Sequence, residues 1–192
     1  STIYKETDEA WVDLRGTEMV GYWTWLGSNK EFLWETEKDG WRHLYRVSRD
    51  GKKETLVTKG NFDVIGVARV DEANNALYFY ASPENATQKY LYRTKLSGEG
   101  EAERLSPANQ KGSHTYDVSP NGKYAQHTFT NYYTRRMSEW VSLADHKALN
   151  EKEGIAAKYK ETPPADNNVE FFQVTTTEGV TMDGWLSKPK NF

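Results

Sequence analysis

Acyl transfer by a serine needs a nucleophile on a strained strand-to-helix turn of the G-x-S-x-G kind. An acid and a histidine follow along the chain, and backbone N–H groups stand ready for the oxyanion. Ser28, Ser97, Ser106, Ser113 and Ser187 all lack the flanking glycines of that pattern. No catalytic residue is therefore expected within these 192 residues. Spacing gives metal chemistry no better support. His43, His114, His127 and His146 are far apart in sequence, none has a second ligand at i+2 or i+4, and the chain contains no cysteine. Neither a metal motif nor a disulfide framework is expected, and the lack of cysteine leaves the compartment open. His43, between Arg42 and Tyr45, reads as a strand residue hydrogen-bonded within its own sheet. The acidic pairs Asp8-Glu9 and Asp71-Glu72 read as solvated surface groups, the second of them in a hairpin turn. Nothing in the chain calls for a cofactor.

The elements that would carry these residues are strands. Three turn-and-strand units line up on one another: Trp25 to Trp34, Arg69 to Tyr78 and Asp117 to Gln126, with Phe32, Leu77 and Tyr124 in the same slot at steps of 45 and 47 residues. A second landmark keeps step, since His43-Leu-Tyr45 answers Tyr90-Leu-Tyr92. Short strands repeating at roughly 40 to 50 residues are the period of a β-propeller blade, a four-stranded unit that hides its faces only by stacking on its neighbours. The first repeat predicts strands over 21–26, 31–37, 42–48 and 54–58. The second predicts 63–70, 76–82, 89–96 and 102–105, and the third 114–119, 123–130 and 139–144, with a poorly marked fourth strand. Arg49-Asp-Gly51 and Pro120-Asn-Gly122 are the clearest hairpin turns.

Composition agrees. Hydrophobic residues make up 36% of the chain and mean hydropathy is -0.88, yet there are seven Trp, twelve Tyr and seven Phe. That balance suits half-exposed strands with aromatic cross-strand pairs better than a helical bundle. The runs Tyr22-Trp-Thr-Trp25 and Tyr78-Phe-Tyr80 read as rings filling the space between blades, in preference to a sugar-binding platform. Asn85-Ala-Thr87 fits the glycosylation acceptor pattern and marks an exposed loop. Asn131 to Met137 reads as a long blade connection. With 25 basic and 28 acidic residues well mixed and a net charge of -3, there is no basic stripe and no electrostatic case for nucleic acid. No apolar run of about 18 residues predicts a helical membrane span.

Beyond Asn150 the pattern changes. Residues 151–160 read as one short helix stopped by Pro163-Pro164, and two further strands, 169–176 and 180–187, form a hairpin outside the repeat. The organisation expected is thus propeller blades over 1–150 (repeats near 21–60, 63–106 and 113–150), a helix and linker over 151–168, and a hairpin over 169–192. Ser1 is not an initiator methionine and Lys188 to Phe192 is turn-like, so the sequence reads as part of a longer chain.

The run Lys38-Asp-Gly-Trp-Arg-His-Leu-Tyr45, then Thr58 to Gly66, then Ala76-Leu-Tyr-Phe-Tyr80 with Leu91-Tyr-Arg93, resembles the late propeller blades of dipeptidyl peptidase IV and its bacterial relatives. Asp183-Gly-Trp-Leu-Ser-Lys-Pro189 is similar to the strand that leads from that propeller into an α/β-hydrolase domain. The resemblance covers nearly the whole chain. It implies an all-β fold, a partial propeller of about three blades from an eight-bladed parent, with a hairpin at the start of an absent hydrolase domain. It also implies that the triad lies beyond Phe192 and the substrate-binding glutamate pair before Ser1. The stretch Ala10-Trp-Val-Asp-Leu-Arg15 resembles a loop lining the far side of the family's active-site cavity, which makes Trp11 and Arg15 candidate cavity residues.

Two classes of function are consistent with these features. In the first, the chain is the propeller part of a serine exopeptidase that removes Xaa-Pro or Xaa-Ala dipeptides from short peptides, the propeller gating the cavity and the isolated part being inactive. In the second, it is a non-catalytic propeller that binds peptide, glycan or protein. The hairpin over 169–189 favours the first. The resemblance further implies a periplasmic or cell-envelope protein. Three blades cut from a ring leave two open edges, which predicts self-association.

Overall fold

The computed structural model describes residues 2–9, 12, 23–160 and 168–189. The chain divides into two compact units, Ser1–Ala81 with Leu91–Leu105, and Ser82–Tyr90 with Ser106–Phe192.

The first unit holds two four-stranded antiparallel sheets. One is built in sequence order from β1 (Trp23–Leu26), β2 (Glu31–Thr36), β3 (His43–Ser48) and β4 (Glu54–Leu56). Because side chains alternate across a strand, the register Trp25↔Phe32↔Val47 and Trp23↔Trp34↔Tyr45↔Leu56 puts every one of these residues on one face. Phe32, Tyr45 and Val47 are buried there, with Tyr4, Trp25, Trp34 and Leu56 packed around them. The opposite face carries the buried Leu26, Leu33 and Leu44. A sheet apolar on both faces must be covered on both, as a propeller blade is.

The second sheet repeats the plan with β5 (Val64–Asp71), β6 (Ala76–Ala81), β7 (Tyr90–Lys95) and β8 (Glu103–Arg104) in the order β5-β6-β7-β8. Phe62 stacks on Phe79 and Tyr92 and meets the His43 ring edge-on. The backbone stitches the two sheets, since Val64 N–H donates to Arg42 C=O at 2.7 Å and Arg42 N–H donates to Asp63 Oδ1 at 2.8 Å. Gly98 adopts φ +77°, and a Cβ there would lie 2.5 Å from Leu56 C=O; the close approach of the two sheets therefore requires glycine at this position. Phe79 and Tyr78 are buried, as expected of rings between blades, whereas Trp23 is half-exposed at the β1 edge.

In the second unit, β9 (Ser113–Val118), β10 (Tyr124–Asn131) and β11 (Thr134–Ser142) form a three-stranded sheet in the order β11-β10-β9. Beside β11 the expected fourth strand is reduced to a single bridge, Val141↔Ala148, flanked by Ser142 N–H to Lys147 C=O and Leu149 N–H to Trp140 C=O. The Asn131–Met137 stretch is not a long connection. It is a tight hairpin, because the Asn131 side-chain oxygen caps Tyr133 N–H at 2.9 Å and its amide ties to Lys111 C=O, so pairing resumes at Asn131↔Thr134.

The helix is shorter than its propensity predicts. Residues 151–153 are spent in turns, with Glu153 N–H on Asn150 C=O, and α1 runs only Ile155–Lys158 after an extended Gly154. The hairpin of β12 (Val169–Thr175) and β13 (Thr181–Ser187) follows, paired from Val169↔Ser187 to Thr175↔Thr181. Phe171, Phe172, Val174, Met182 and Trp185 are all exposed on it. Among the described residues no helix is long and apolar enough to cross a membrane.

Candidate functional site

Sequence spacing keeps the histidines apart, but the third sheet brings three of them together. Cross-strand register puts His127 on β10 directly opposite Tyr116 on β9 and Glu139 on β11. Tyr116 stacks on the His127 ring at 4.4 Å between centroids, and His114 lies parallel to that ring at 5.1 Å. His146, on the turn after β11, meets the His127 ring edge-on at 4.9 Å. His114 and His127 are fully buried, and the Glu139 side chain is only 5% exposed.

A continuous hydrogen-bonded chain runs through these groups. His114 Nε2 lies 2.8 Å from Gln110 C=O, His114 Nδ1 2.8 Å from His127 Nε2, and His127 Nδ1 2.8 Å from Glu139 Oε1. Glu139 Oε2 accepts from Ile155 N–H at 2.8 Å. The first three links need one proton each, and two neutral imidazoles supply two. The third proton is shared between His127 Nδ1 and the Glu139 carboxyl, a buried but internally neutral pair. Burial pushes the Glu139 carboxyl up, yet the bonds from His127 and from Ile155 N–H outweigh it and hold the group below its usual range. Alongside, Tyr116 Oη lies 2.7 Å from His146 Nε2 and donates to Ser106 Oγ at 3.1 Å. Burial, with His127 beside it, lowers the His146 pKa to about 4, so its imidazole is neutral at neutral pH.

Ligand atoms of His127, Glu139 and His146 all lie within 4.8 Å of one another. Donors on one tetrahedral ion, each about 2.0–2.1 Å from it, sit about 3.3 Å apart. His127 Nδ1 and Glu139 Oε1 are closer than that, at 2.8 Å, and share a proton. The geometry is that of a hydrogen-bonded pair.

A smaller polar group sits in the first sheet. Asp39 Oδ2 lies 2.8 Å from His43 Nδ1 and accepts from Tyr45 Oη at 2.8 Å, while Lys38 Nζ stands over the Tyr45 ring. Burial raises the Asp39 carboxyl, but the His43, Tyr45 and Trp41 N–H bonds outweigh it and lower its pKa. Tyr45 is pushed well up by burial and by Asp39. His43 is thus a strand residue bonded within its own sheet.

Of the acidic pairs, Asp8 and Glu9 are exposed, but Asp71 is buried. It is not a solvated surface acid, because its carboxylate closes the β5–β6 turn, accepting from Asn74 N–H at 3.2 Å and Asn74 Nδ2 at 2.8 Å. Trp11 and Arg15 lie outside the described residues. The second unit also contains an open cavity of about 1090 Å³ whose walls include Tyr132, Phe171, Phe172 and Trp185, with Lys111 and Asp183 at its polar positions. Asp183 Oδ2 accepts from Ala86 N–H at 3.1 Å, which ties the hairpin to the 82–90 loop.

Comparison with known proteins gives this architecture a family. The dipeptidyl peptidase IV (DPP IV) N-terminal region matches residues 1–135. The chain belongs to that family. Among curated relatives, dipeptidyl peptidase 4 of Trichophyton rubrum is 23% identical over 201 residues, covering 100% of this chain and 25% of that protein. Dipeptidyl peptidase 8 of Mus musculus is 26% identical over 229 residues, covering 97% and 24% respectively. The chain therefore spans about a quarter of the length of the curated relatives it matches. The crystal structure of Porphyromonas gingivalis dipeptidyl peptidase 4 is similar in fold, with a TM-score of 0.71 and 21% identity over 99% of this chain and 26% of that one. Three blade-like antiparallel sheets match the partial propeller of the dipeptidyl peptidase IV N-terminal domain.

Proposed function

We propose that this chain is the propeller part of a serine exopeptidase that removes Xaa-Pro or Xaa-Ala dipeptides from the amino ends of short peptides. The observation that carries the reading is the hairpin β12–β13. It does not repeat the blade pattern, it exposes aromatic side chains on both faces, and an isolated two-stranded hairpin is marginal in water. A free-standing binding propeller has no use for such an element, whereas a strand pair opening a hydrolase sheet needs it. Alignment of the whole chain with about a quarter of several dipeptidyl peptidases supports the same reading.

In this account the blades wall and gate the cavity, limiting water and large substrates around the acyl-enzyme step. Trp11 and Arg15 line that cavity on its far side. The nucleophile, acid and histidine come from the hydrolase domain, so the 192-residue chain alone is inactive. The natural protein works in the periplasm or cell envelope, and its partners are short peptides together with the remaining blades and the hydrolase domain.

The open blade edges pair with a second copy when the chain is isolated. Light scattering should show a mass that rises with concentration, and a constant monomer mass would refute the edge pairing. Activity is tested with a chromogenic Xaa-Pro substrate. The purified chain should release no dipeptide, while the complete gene product should; release by the chain alone would overturn the assignment of chemistry to a separate domain.

A further inference from the structure

We propose that the turn at His146 is a pH-operated latch, which holds residues 145–159 against the third sheet at neutral pH and loosens them on acidification. The inference stands on the second unit alone and does not depend on the peptidase reading.

His146 adopts φ +52°, the left-handed region in which histidine is among the enriched non-glycine residues. Its ring turns inward onto the buried network. Tyr116 faces the imidazole from β9, His127 from β10 and Glu139 from β11, while Asp145 and Lys147 flank it on its own turn. Because Tyr116 gives its one proton to Ser106 Oγ, its phenol oxygen accepts from His146 Nε2–H, a bond that remains when the ring gains a proton at Nδ1. Charge is different. The His127 ring centre lies 4.9 Å away, and His127 is hydrogen-bonded to the buried Glu139 carboxylate. An imidazolium at His146 is a charge in a desolvated site, disfavoured by burial and by the neighbouring His127.

Glu139 links this charge to the departing segment. Its Oε2 accepts from Ile155 N–H, so the carboxylate paired with His127 also anchors the start of α1. Residues 147–149 are otherwise held by the Val141↔Ala148 bridge and its two flanking backbone bonds. Ile155 is buried and Tyr159 packs edge-on against Phe129. An imidazolium at His146 competes for Glu139 and weakens the most polar of these attachments.

The direction follows from the lowered pKa of His146. A free histidine titrates near 6.5, while in the fold the group stays neutral until about pH 4. The open segment therefore binds a proton that the closed one does not, over the interval from pH 6.5 to 4. Closure is strongest above pH 6.5 and weakens as pH falls through that window. Each pH unit there changes the opening equilibrium by up to tenfold, so the total is on the order of a hundredfold.

Hydrogen exchange on the 192-residue chain, corrected for the intrinsic rate at each pH, tests this directly. The amides of Leu149, Ile155, Lys158 and Tyr159 should lose protection on the order of a hundredfold between pH 6.5 and 4, and at every pH they should exchange faster than those of β9 and β10, because the segment opens without unfolding the sheet. The variant His146→Asn keeps a residue that tolerates left-handed backbone but cannot titrate, and it should flatten the pH dependence. Unchanged protection down to pH 4, protection equal to that of β9 and β10 at every pH, or the same pH profile in His146→Asn would each overturn the latch. If the variant fails to fold, the comparison of segments in the unsubstituted chain still decides.

Discussion

Replacing Glu139 by alanine and by glutamine should have very different consequences, although both remove the charge. Glu139 accepts two hydrogen bonds, from His127 Nδ1 and from Ile155 N–H, in a site where its side chain is 5% exposed. Glu139→Ala leaves Ile155 N–H and one nitrogen of His127 without partners, and it opens a void between β10 and β11. Breaking a buried charged pair costs about 3–5 kcal/mol. For a chain of this size that lowers the thermal midpoint by roughly 6–20 °C. Glutamine can rebuild every link. Its oxygen accepts from Ile155 N–H, and its amide donates to His127 Nδ1. A neutral His127 donates through Nε2 to His114 Nδ1, while His114 still donates to Gln110 C=O. The three protons that the wild-type chain of bonds demands are then supplied by two neutral imidazoles and one amide, with no buried charge. Glu139→Gln should therefore cost no more than about 1 kcal/mol, since a satisfied neutral network can replace a buried ion pair almost without penalty. Urea unfolding followed by tryptophan fluorescence would compare the three proteins. If glutamine destabilises as much as alanine, the sheet is held by the charge itself and the proton count is wrong.

Other substitutions test the remaining structure. Gly98→Ala must place a Cβ at φ +77°, against Leu56 C=O, and should lower the stability of the first unit by about 1–3 kcal/mol in urea melts. Asp71→Ala strands the Asn74 N–H and amide donors at the β5–β6 turn and should cost about 1–2 kcal/mol by the same assay. The Asp39 carboxyl is lowered from 3.8 by His43 and Tyr45 against the opposing effect of burial. Its contribution is thus complete above that pH and is lost as pH falls below it, and Asp39→Asn should remove that part of the acid limb of a stability profile.

The repeat was legible because its carriers are local. Asp50-Gly51 and Pro120-Asn-Gly122 are turn chemistry, and the alternation of Phe32, Trp34, Tyr45 and Val47 has the period of a half-buried strand. The histidine network was not legible in spacing rules for metals and triads, because its members are joined across strands. The Pro120-Asn-Gly122 turn does carry the signal. Counting outward from it pairs Val118 with Ala125 and Tyr116 with His127, a register that a hairpin turn determines. Treating Asn131–Met137 as a loop discarded the matching register on the other side, where His127 meets Glu139. Asp71 differs from its expected place for a related reason. Its type and turn position suggested solvent, but the carboxylate folds back to satisfy the turn's own donors. The helix is shorter than 151–160 because Gly154 and the competing turn bonds around Asn150 outweigh propensity.

The central claim, that these blades serve a hydrolase domain, is tested most directly by reading the gene beyond the codon for Phe192. The account predicts several hundred further codons carrying a G-x-S-x-G turn followed by an aspartate and then a histidine. A stop codon soon after Phe192, or a following domain without that order of residues, would contradict it and leave a binding propeller in its place.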